Sequence, residues 1–373
     1  MHGFGTTIFA EMSALALRTS SVNLGQGFPD TDGPGAILEG AVECIRSGVN
    51  QYPPGPGMPE LRQAIAAHQA RCYGLDYDPD GEVLVTAGAT EAIAASIIAL
   101  AGPSDEVVLF EPYYDSYAAC VALAGATRRV VTLERDGACW GFDPAGLERA
   151  ITPATKLLVL NTPHNPTGTV FGATELAAVA EVAIRHDLIV VSDEVYEHLT
   201  FDGTSHTPIA TLPGMRERTI TISSAGKTFS VTGWKVGWAC APPELLDAVR
   251  TVKQFLTYVN GAPFQPAVAR ALADAENLAP RQALQAQRDL LCDGLDSLGF
   301  DVVRPQATYF ATVDVGSNAV DFCRELPHRA AVVAIPSSVF YDSAAGDRYV
   351  RFAFCKRPEV LAEALRRLAE AAS

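Results

Sequence analysis

The sequence of 373 residues has no Cys-X-X-Cys pair, no histidines at metal-ligand spacing, no basic cluster and no long uninterrupted apolar run. Its eight cysteines, Cys44, Cys72, Cys120, Cys139, Cys240, Cys292, Cys323 and Cys355, are scattered. Such spacing excludes a disulfide scaffold or a cysteine zinc site and predicts reduced thiols, as in the cytoplasm. The seven histidines give no metal-binding pattern. With 28 Lys and Arg against 43 Asp and Glu, the net charge is −15, which excludes a protein that must displace counterions from nucleic-acid phosphates. The most apolar stretch, Ala87–Ala101, is interrupted by Glu91 and is too short to span a bilayer, so a buried helix is expected there. The N-terminus, MHGFGTTIFAEM, has no basic segment ahead of an apolar one, and no signal peptide is expected.

What is present is a rhythm. From Glu82 onward, short runs of Val, Ile and Leu alternate with helical stretches. Strands are predicted at Val83–Thr86, Glu106–Phe110, Arg128–Leu133, Lys156–Leu160, Leu188–Ser192 and Thr219–Ser223. The runs are continuous rather than alternating, which predicts strands buried on both faces of a mostly parallel sheet, an α/β architecture. Residues 243–297 read as helical with a break near Ala262–Pro263, and the last seventy residues read as a smaller α+β unit.

Ligands of open α/β sheets bind beyond the carboxyl ends of the strands, and four predicted strand ends carry unusual residues. Gly88-Ala89-Thr90 follows the first and would let backbone N–H groups approach a phosphate, although a tight turn needs small residues just as much. Asn161-Thr162-Pro163-His164-Asn165-Pro166-Thr167-Gly168 is either a rigid loop or a source of side-chain donors. Asp193 at a buried strand end calls for a cationic partner. Ser224-Ala225-Gly226-Lys227-Thr228 superficially resembles a nucleotide phosphate loop but lacks its first glycine. A lysine desolvated at that place is instead a nucleophile able to form a Schiff base. A lysine, an aspartate for a pyridinium nitrogen, and Asn and Tyr for a phenolic oxygen are together the parts that pyridoxal phosphate requires.

On these motifs the chain resembles the fold-type I, class I/II aminotransferases. Ser223–Trp238, Asn161–Gly168 and Ser192–Leu199 match three family signatures, and Asn23–Asp30, Asn50–Ile65, Glu111–Tyr117 and Tyr349–Lys356 extend the match over nearly the whole chain. Within the family it is similar to the kynurenine/glutamine/methionine branch, and in GVNQYPPGPG, VLVTAGATEAIAA, DEVYEHL and LTYVNGAPFQPAVA to actinobacterial N-succinyldiaminopimelate aminotransferases.

The resemblance implies a fold-type I architecture. A large domain with a mostly parallel central sheet flanked by helices, residues 41–285, would bind pyridoxal 5′-phosphate. Residues 286–373 would form the smaller α+β domain, with residues 1–40 contributing to it and to the active site. It implies that Lys227 forms the Schiff base and carries the proton, Asp193 pairs with the pyridine nitrogen, and Asn165 and Tyr196 bond the ring oxygen. Tyr113 is expected on the ring face. Gly88, Ala89, Thr90, Ser224 and Lys235 are expected at the phosphate, with Tyr52 reaching the phosphate of the other subunit of a homodimer. Arg351 is expected to clamp the substrate α-carboxylate, with Gly27 beside it and Phe9 at the side-chain end. Trp234 and Trp238 read as packing at the domain junction, and His164 as a neighbour of the site rather than its acid or base.

The implied reaction moves an amino group between L-glutamate and an oxo acid, N-succinyl-2-amino-6-oxopimelate in the lysine-biosynthetic reading. Asn260 and Gly261, where kynurenine-type members tend to carry an aromatic residue and a histidine, speak against an aromatic substrate. The alternatives are a broad-specificity methionine/glutamine/kynurenine aminotransferase with cysteine-conjugate β-lyase activity, and a cofactor-binding protein without catalysis. Retention of Lys227, Asp193 and Arg351 argues against the latter.

Overall fold

The computed structural model describes residues 7–137, 139–274 and 281–372; the first six residues of the N-terminal segment lie outside them. A seven-stranded sheet organises the larger part of the molecule. Its strands in chain order are β1 (Val83–Ala87), β2 (Glu106–Glu111), β3 (Thr127–Thr132), β4 (Thr155–Asn161), β5 (Ile189–Asp193), β6 (Thr219–Ser224) and β7 (Val236–Cys240). Across the sheet the order is β1-β7-β6-β5-β4-β2-β3. β2 through β6 pair in parallel with their neighbours, and β7 alone runs antiparallel, between β1 and β6.

The strands are apolar throughout because both faces are covered. In β2, Val107 and Leu109 enter one hydrophobic cluster while Val108 and Phe110 enter another on the opposite face, and β4 divides Leu157 and Val159 from Leu158 and Leu160 in the same way. Helices supply both covers. The helices of the two units are, in chain order, α1 (Ile8–Arg18), α2 (Gly35–Arg46), α3 (Pro59–Tyr73), α4 (Gly88–Leu100), α5 (Asp115–Ala124), α6 (Pro144–Ala150), α7 (Ala173–Arg185), α8 (Ala225–Thr228), α9 (Pro243–Leu256), α10 (Gln265–Ala273), α11 (Arg281–Ser297), α12 (Ala319–Ala330) and α13 (Pro358–Ala372), of which α1, α11, α12 and α13 pack in the smaller unit. α4 is the Ala-rich segment expected to be a buried helix; Ala92, Ile93, Ala95 and Ile97 lose nearly all their solvent contact. Its Glu91 survives burial by bonding the N–H of Ala87 at 2.6 Å.

The smaller unit has a four-stranded antiparallel sheet of β8 (Asp301–Val303), β9 (Phe310–Asp314), β10 (Ile335–Pro336) and β11 (Tyr349–Ala353), in the order β8-β9-β11-β10. One core joins Met12, Leu15 and Leu24 from the chain start to Leu291, Phe352 and Leu361 from its end. The expected divisions at 40/41 and 285/286 fall inside α2 and α11. Both helices are continuous because each commits one face to a single core: α2 puts Ile37 and Ala41 against the larger unit, and α11 puts Leu284 and Leu291 into the smaller one.

Two further details differ from the expectations. The helical region 243–297 contains three helices among its described residues, the first two separated by residues 257–264; residues 275–280 lie outside the described residues. Trp238 lies on β7 with 1 % exposure, packed among Ile65 and Val268, and Trp234 stacks on Phe264 at 4.7 Å. Both therefore pack within the larger unit instead of at a junction between units. All eight cysteines are free, six buried and two, Cys72 and Cys139, exposed.

Candidate active site

The carboxyl ends of the parallel strands open into a cavity of about 520 Å³, closed on the other side by residues of the smaller unit. β4 ends at Asn161, β5 at Asp193 and β6 at Ser224, and all three line it. Lys227 enters from α8, the four-residue helix that begins directly after β6. Its ammonium is 5.4 Å from the Tyr196 ring and 5.2 Å from the Tyr309 ring. Burial among these rings pulls its pKa down to about 8, against a smaller upward pull from nearby groups including Asp193. A substantial fraction of the amine is thus unprotonated and nucleophilic near neutral pH.

Asp193 is 4 % exposed, and burial raises its pKa to about 6. Two donors oppose that rise: the Tyr117 hydroxyl at 2.6 Å to Oδ2 and the Val195 N–H at 3.3 Å to Oδ1. Asn161 fastens the neighbouring loops together. Its Nδ2 donates to the Asp193 carbonyl at 2.9 Å, and its Oδ1 accepts the Asn165 N–H at 2.8 Å. Tyr196 lines the cavity with 3 % exposure, its ring edge-on to Tyr309 at 5.2 Å.

One end of the cavity suits a phosphate. Gly88 (φ +73°) bends the chain out of β1 into α4, in a backbone region that a side chain at that position would strain. The first-turn N–H groups of α4, from Gly88 to Thr90, have no acceptor within the helix and face this end. Lys235 reaches it as well, with Nζ 3.4 Å from Thr90 Oγ1. Lys235 itself is held at φ +52°, an unfavourable backbone for a lysine, and its carbonyl accepts from Asn260 Nδ2 at 2.8 Å.

The opposite end suits a carboxylate. Arg351, on β11, is 2 % exposed and lies among the rings of Phe310, Phe340 and Phe9, at 4.0, 4.9 and 5.3 Å. Nη1 donates to Asn165 Oδ1 at 3.0 Å and Nη2 to the Gly25 carbonyl at 3.2 Å, while Nε has no partner among the described residues. Burial lowers its pKa to about 10, so it remains charged at neutral pH. A buried cation with an unpaired donor and no anion bonded to it is suited to an incoming carboxylate. Gly27 also lines the cavity here, and a Cβ added to it would collide with Cζ of Phe310, the ring closest to Arg351.

Of the residues singled out from the sequence, Gly88, Ala89, Thr90, Asn165, Asp193, Tyr196, Ser224, Lys227, Lys235, Gly27, Phe9 and Arg351 all line this one cavity. Two do not. Tyr113, expected on the ring face, turns away: its hydroxyl bonds Asp342 at 2.6 Å and its N–H bonds the Phe340 carbonyl at 2.9 Å. The residue on the wall is Tyr114, whose extended backbone (φ −64°, ψ 125°) sends its side chain opposite to that of its neighbour. Tyr52 is 82 % exposed and meets Tyr258 edge-on at 5.6 Å, away from the cavity of its own chain.

The sequence reading gave Tyr117 no role and gave Asn161 none of its own. Tyr117 stands one helical turn beyond Tyr114, and that spacing was its signal. Asn161 is the first asparagine of a segment already singled out. His164 is buried behind the loop, with Nδ1 bonded to Thr167 Oγ1 at 2.8 Å and a pKa that burial pushes down to about 3.

Among the described residues, His68, Glu197 and His198 bring ligand-type atoms within 4.8 Å of one another. The two imidazole Nε2 atoms are 2.7 Å apart. Two nitrogens on one tetrahedral zinc stand roughly 3.3 Å apart, so this contact is a hydrogen bond.

The comparisons with known proteins agree with this geometry. The family model for aminotransferase class I and II matches residues 19–368. A Mycobacterium tuberculosis protein described as a probable N-succinyldiaminopimelate aminotransferase is 55% identical over 383 residues, covering 99% of this chain and 96% of that protein. The solved structure of N-succinyldiaminopimelate aminotransferase from Mycobacterium tuberculosis superposes with a TM-score of 0.96, covering 99% of this chain and 98% of that one. The methionine aminotransferase of Escherichia coli is 40% identical over 370 residues, covering 98% of this chain and 95% of that protein. With a strand-end lysine, a buried aspartate and a buried arginine converging on one cavity, and with relatives alike over their whole lengths, the chain belongs to the class I and II aminotransferase family.

Proposed function

We propose that the protein is a pyridoxal 5′-phosphate-dependent aminotransferase that exchanges an amino group between L-glutamate and N-succinyl-2-amino-6-oxopimelate, yielding N-succinyl-LL-2,6-diaminopimelate for lysine biosynthesis. The observation that carries the enzymatic reading is the convergence of Lys227, Asp193 and Arg351 on one cavity. The substrate reading is supported by the 55% identity to the mycobacterial protein.

The donor set fits the cofactor: free N–H groups and Lys235 for the phosphate, Asp193 for the pyridine nitrogen, Asn165 and Tyr196 for the ring oxygen, Tyr114 for the ring face, and Lys227 for the aldehyde carbon. Bound there, the cofactor would supply an electron sink that acidifies the substrate Cα–H. The chain's own residues do the rest. Arg351 holds the α-carboxylate on the edge that Asn165 and Gly25 leave free. With one end clamped, the Cα–H would be oriented toward the Lys227 amine, the group placed to take that proton and to give it back. Its lowered pKa suits both steps, since the amine can exist in either protonation state near neutrality. Asn260, whose Nδ2 bonds the Lys235 carbonyl, stands where the resemblance places a ring in relatives of the kynurenine type, which speaks against an aromatic substrate.

The same reading makes the enzyme a homodimer. Tyr52, Phe255, Leu256 and Tyr258 are large exposed side chains that a second subunit would cover, with Tyr52 reaching that subunit's phosphate site. Eight free thiols suit a cytoplasmic location.

Single-turnover spectroscopy tests the substrate. The pyridoxal form is mixed separately with N-succinyl-LL-2,6-diaminopimelate, glutamate, methionine, glutamine and kynurenine, and conversion to the pyridoxamine form is followed. A preference of ~100-fold or more for the succinylated compound over the last three is expected, about 2.7 kcal/mol at the transition state. Comparable rates for methionine, glutamine and kynurenine with the succinylated compound inert would replace the proposal with a broad-specificity enzyme.

A further inference from the structure

Asp193 does not hold its place unaided. Its Oδ2 is occupied by the Tyr117 hydroxyl at 2.6 Å, a short contact of the charge-assisted kind. Tyr117, on α5, is 3 % exposed, and its ring meets the Tyr114 ring edge-on, with centroids 5.7 Å apart and planes at 88°. One side chain thus touches the group expected at the ring nitrogen and the group expected at the ring face. Resting on the aminotransferase reading above, we propose that Tyr117 is a positioning residue that fixes Asp193 and Tyr114 on two sides of the cofactor ring.

The argument is one of valence and orientation. A phenol has a single proton, and here it is given to Asp193 Oδ2. Full burial holds the phenol's own pKa far above its ordinary value, so it donates over the whole working range and takes no part as an acid or base. The Val195 N–H bonds the other oxygen at the longer distance of 3.3 Å. Together the two donors fix the carboxylate's rotation and leave lone pairs for a pyridinium N–H. Burial favours the neutral acid, which would have a proton where the ring nitrogen needs an acceptor, and the Tyr117 hydroxyl counters that tendency. The other charged and titratable groups that influence Asp193 are Lys227, which favours ionisation, Glu194, which opposes it, and the buried phenols of Tyr114 and Tyr196. A phenylalanine at 117 would fill the same apolar surroundings, formed by residues such as Leu109, Val121 and Leu157, so packing does not demand the hydroxyl.

The test is a cycle of four full-length chains: wild type, Tyr117→Phe, Asp193→Asn and the double variant. Circular dichroism first establishes that each is folded. Cofactor affinity is then measured by titrating each apoenzyme with pyridoxal 5′-phosphate, and the visible absorbance of each loaded enzyme is followed against pH. Tyr117→Phe is expected to weaken cofactor binding about tenfold, the worth of one hydrogen bond to a charged group. It is expected to raise the midpoint of the absorbance change by about half a unit, since a less ionised Asp193 keeps less positive charge on the ring. The rate kcat should fall while KM for the amino donor changes little. In the Asp193→Asn background all three effects should shrink toward nothing, because the hydroxyl acts through that carboxylate. A Tyr117→Phe chain with wild-type affinity and midpoint, or an effect that adds in full to that of Asp193→Asn, overturns the proposal. A wild type that neither binds the cofactor nor transaminates overturns the aminotransferase reading beneath it.

Discussion

The turn from Asp193 to Leu199 has two sides, and they use burial in opposite ways. Toward the cavity it presents Asp193 and Tyr196, beside Lys227 and Arg351. Away from it, Glu194 bonds Ser192 Oγ at 2.7 Å and His206 Nε2 at 2.8 Å, Glu197 bonds Ser223 Oγ, and His198 bonds His68 at 2.7 Å. All of these residues except the half-buried Lys227 are deeply buried. Behind the turn, charged and polar groups bond one another and tie β5, β6 and α3 together. Both sides keep unpaired buried atoms, Arg351 Nε in front and His68 Nδ1, Glu197 Oε2 and His206 Nδ1 behind, but only the front opens onto the cavity, where Lys227 has a lowered pKa and Asp193 a raised one. Buried polar groups closed in on one another hold a fold; those that face a cavity are placed for a ligand, at a cost in stability.

The sharpest way to break this contrast is to remove Lys227. Lys227→Ala should abolish transamination by about four orders of magnitude or more while the chain stays folded. Retained turnover in a steady-state assay would show that the front of the turn is not the reactive side. On the rear, Glu197→Ala should leave the buried Ser223 hydroxyl without its acceptor and lower the unfolding free energy by about 2 kcal/mol in urea titrations. An unchanged midpoint there would mean that the rear network contributes no stability.

Asp193 offers a test with a sign. Its pKa in the folded apoenzyme, about 6, lies above the ordinary carboxylate value of 3.8, so the folded chain binds this proton more tightly than the unfolded one. A raised carboxylate pKa makes this group destabilising above pH 6, and the penalty fades as pH falls from 6 toward 4. Asp193→Asn should therefore stabilise the apoenzyme near pH 7.5 by up to about 3 kcal/mol, with the gain shrinking toward pH 4. Thermal melts at the two pH values decide the matter, and a gain that persists at pH 4 would contradict the assignment. The mildest expectation separates two adjacent tyrosines. Tyr113→Phe loses one hydrogen bond to Asp342, which keeps two from Arg128 at 2.7 and 2.8 Å. It should cost about 1 kcal/mol of stability and leave cofactor affinity within twofold. A larger loss of affinity would return Tyr113 to the cavity wall in place of Tyr114.

Much of the cavity was legible in the sequence because parallel strands are legible. A run such as Leu157–Leu160 can be apolar throughout only where both faces are covered. Once the strands are located, their carboxyl ends are too, and Asn161, Asp193 and the Lys227 segment stand out as polar residues in a place that penalises them. β7 was harder. Val236–Cys240 is short, follows the left-handed Lys235 and joins the sheet in the reverse direction, so nothing in the alternation of strands and helices announces it. The partners of Arg351 were equally hidden, since Gly25 lies 326 residues away along the chain and Asn165 lies 186 away.

The sequence by itself determined which chemical groups are available and which elements hold them, because apolar periodicity and strand-end polarity are local properties. Strand-end polarity singled out Asp193, Lys227 and the segment holding Asn165, and the family resemblance added Arg351, all without coordinates. Only the tertiary structure decided which way each side chain faces and what it meets. Tyr113 and Tyr114 are alike in sequence, yet one is taken by Asp342 across the gap between the two units and the other lines the cavity. Tyr117 is one more aromatic residue of an apolar helix until packing sets its hydroxyl 2.6 Å from a carboxylate 76 residues away. Such pairings depend on how two covered sheets are brought together, and no local pattern encodes the distance between them.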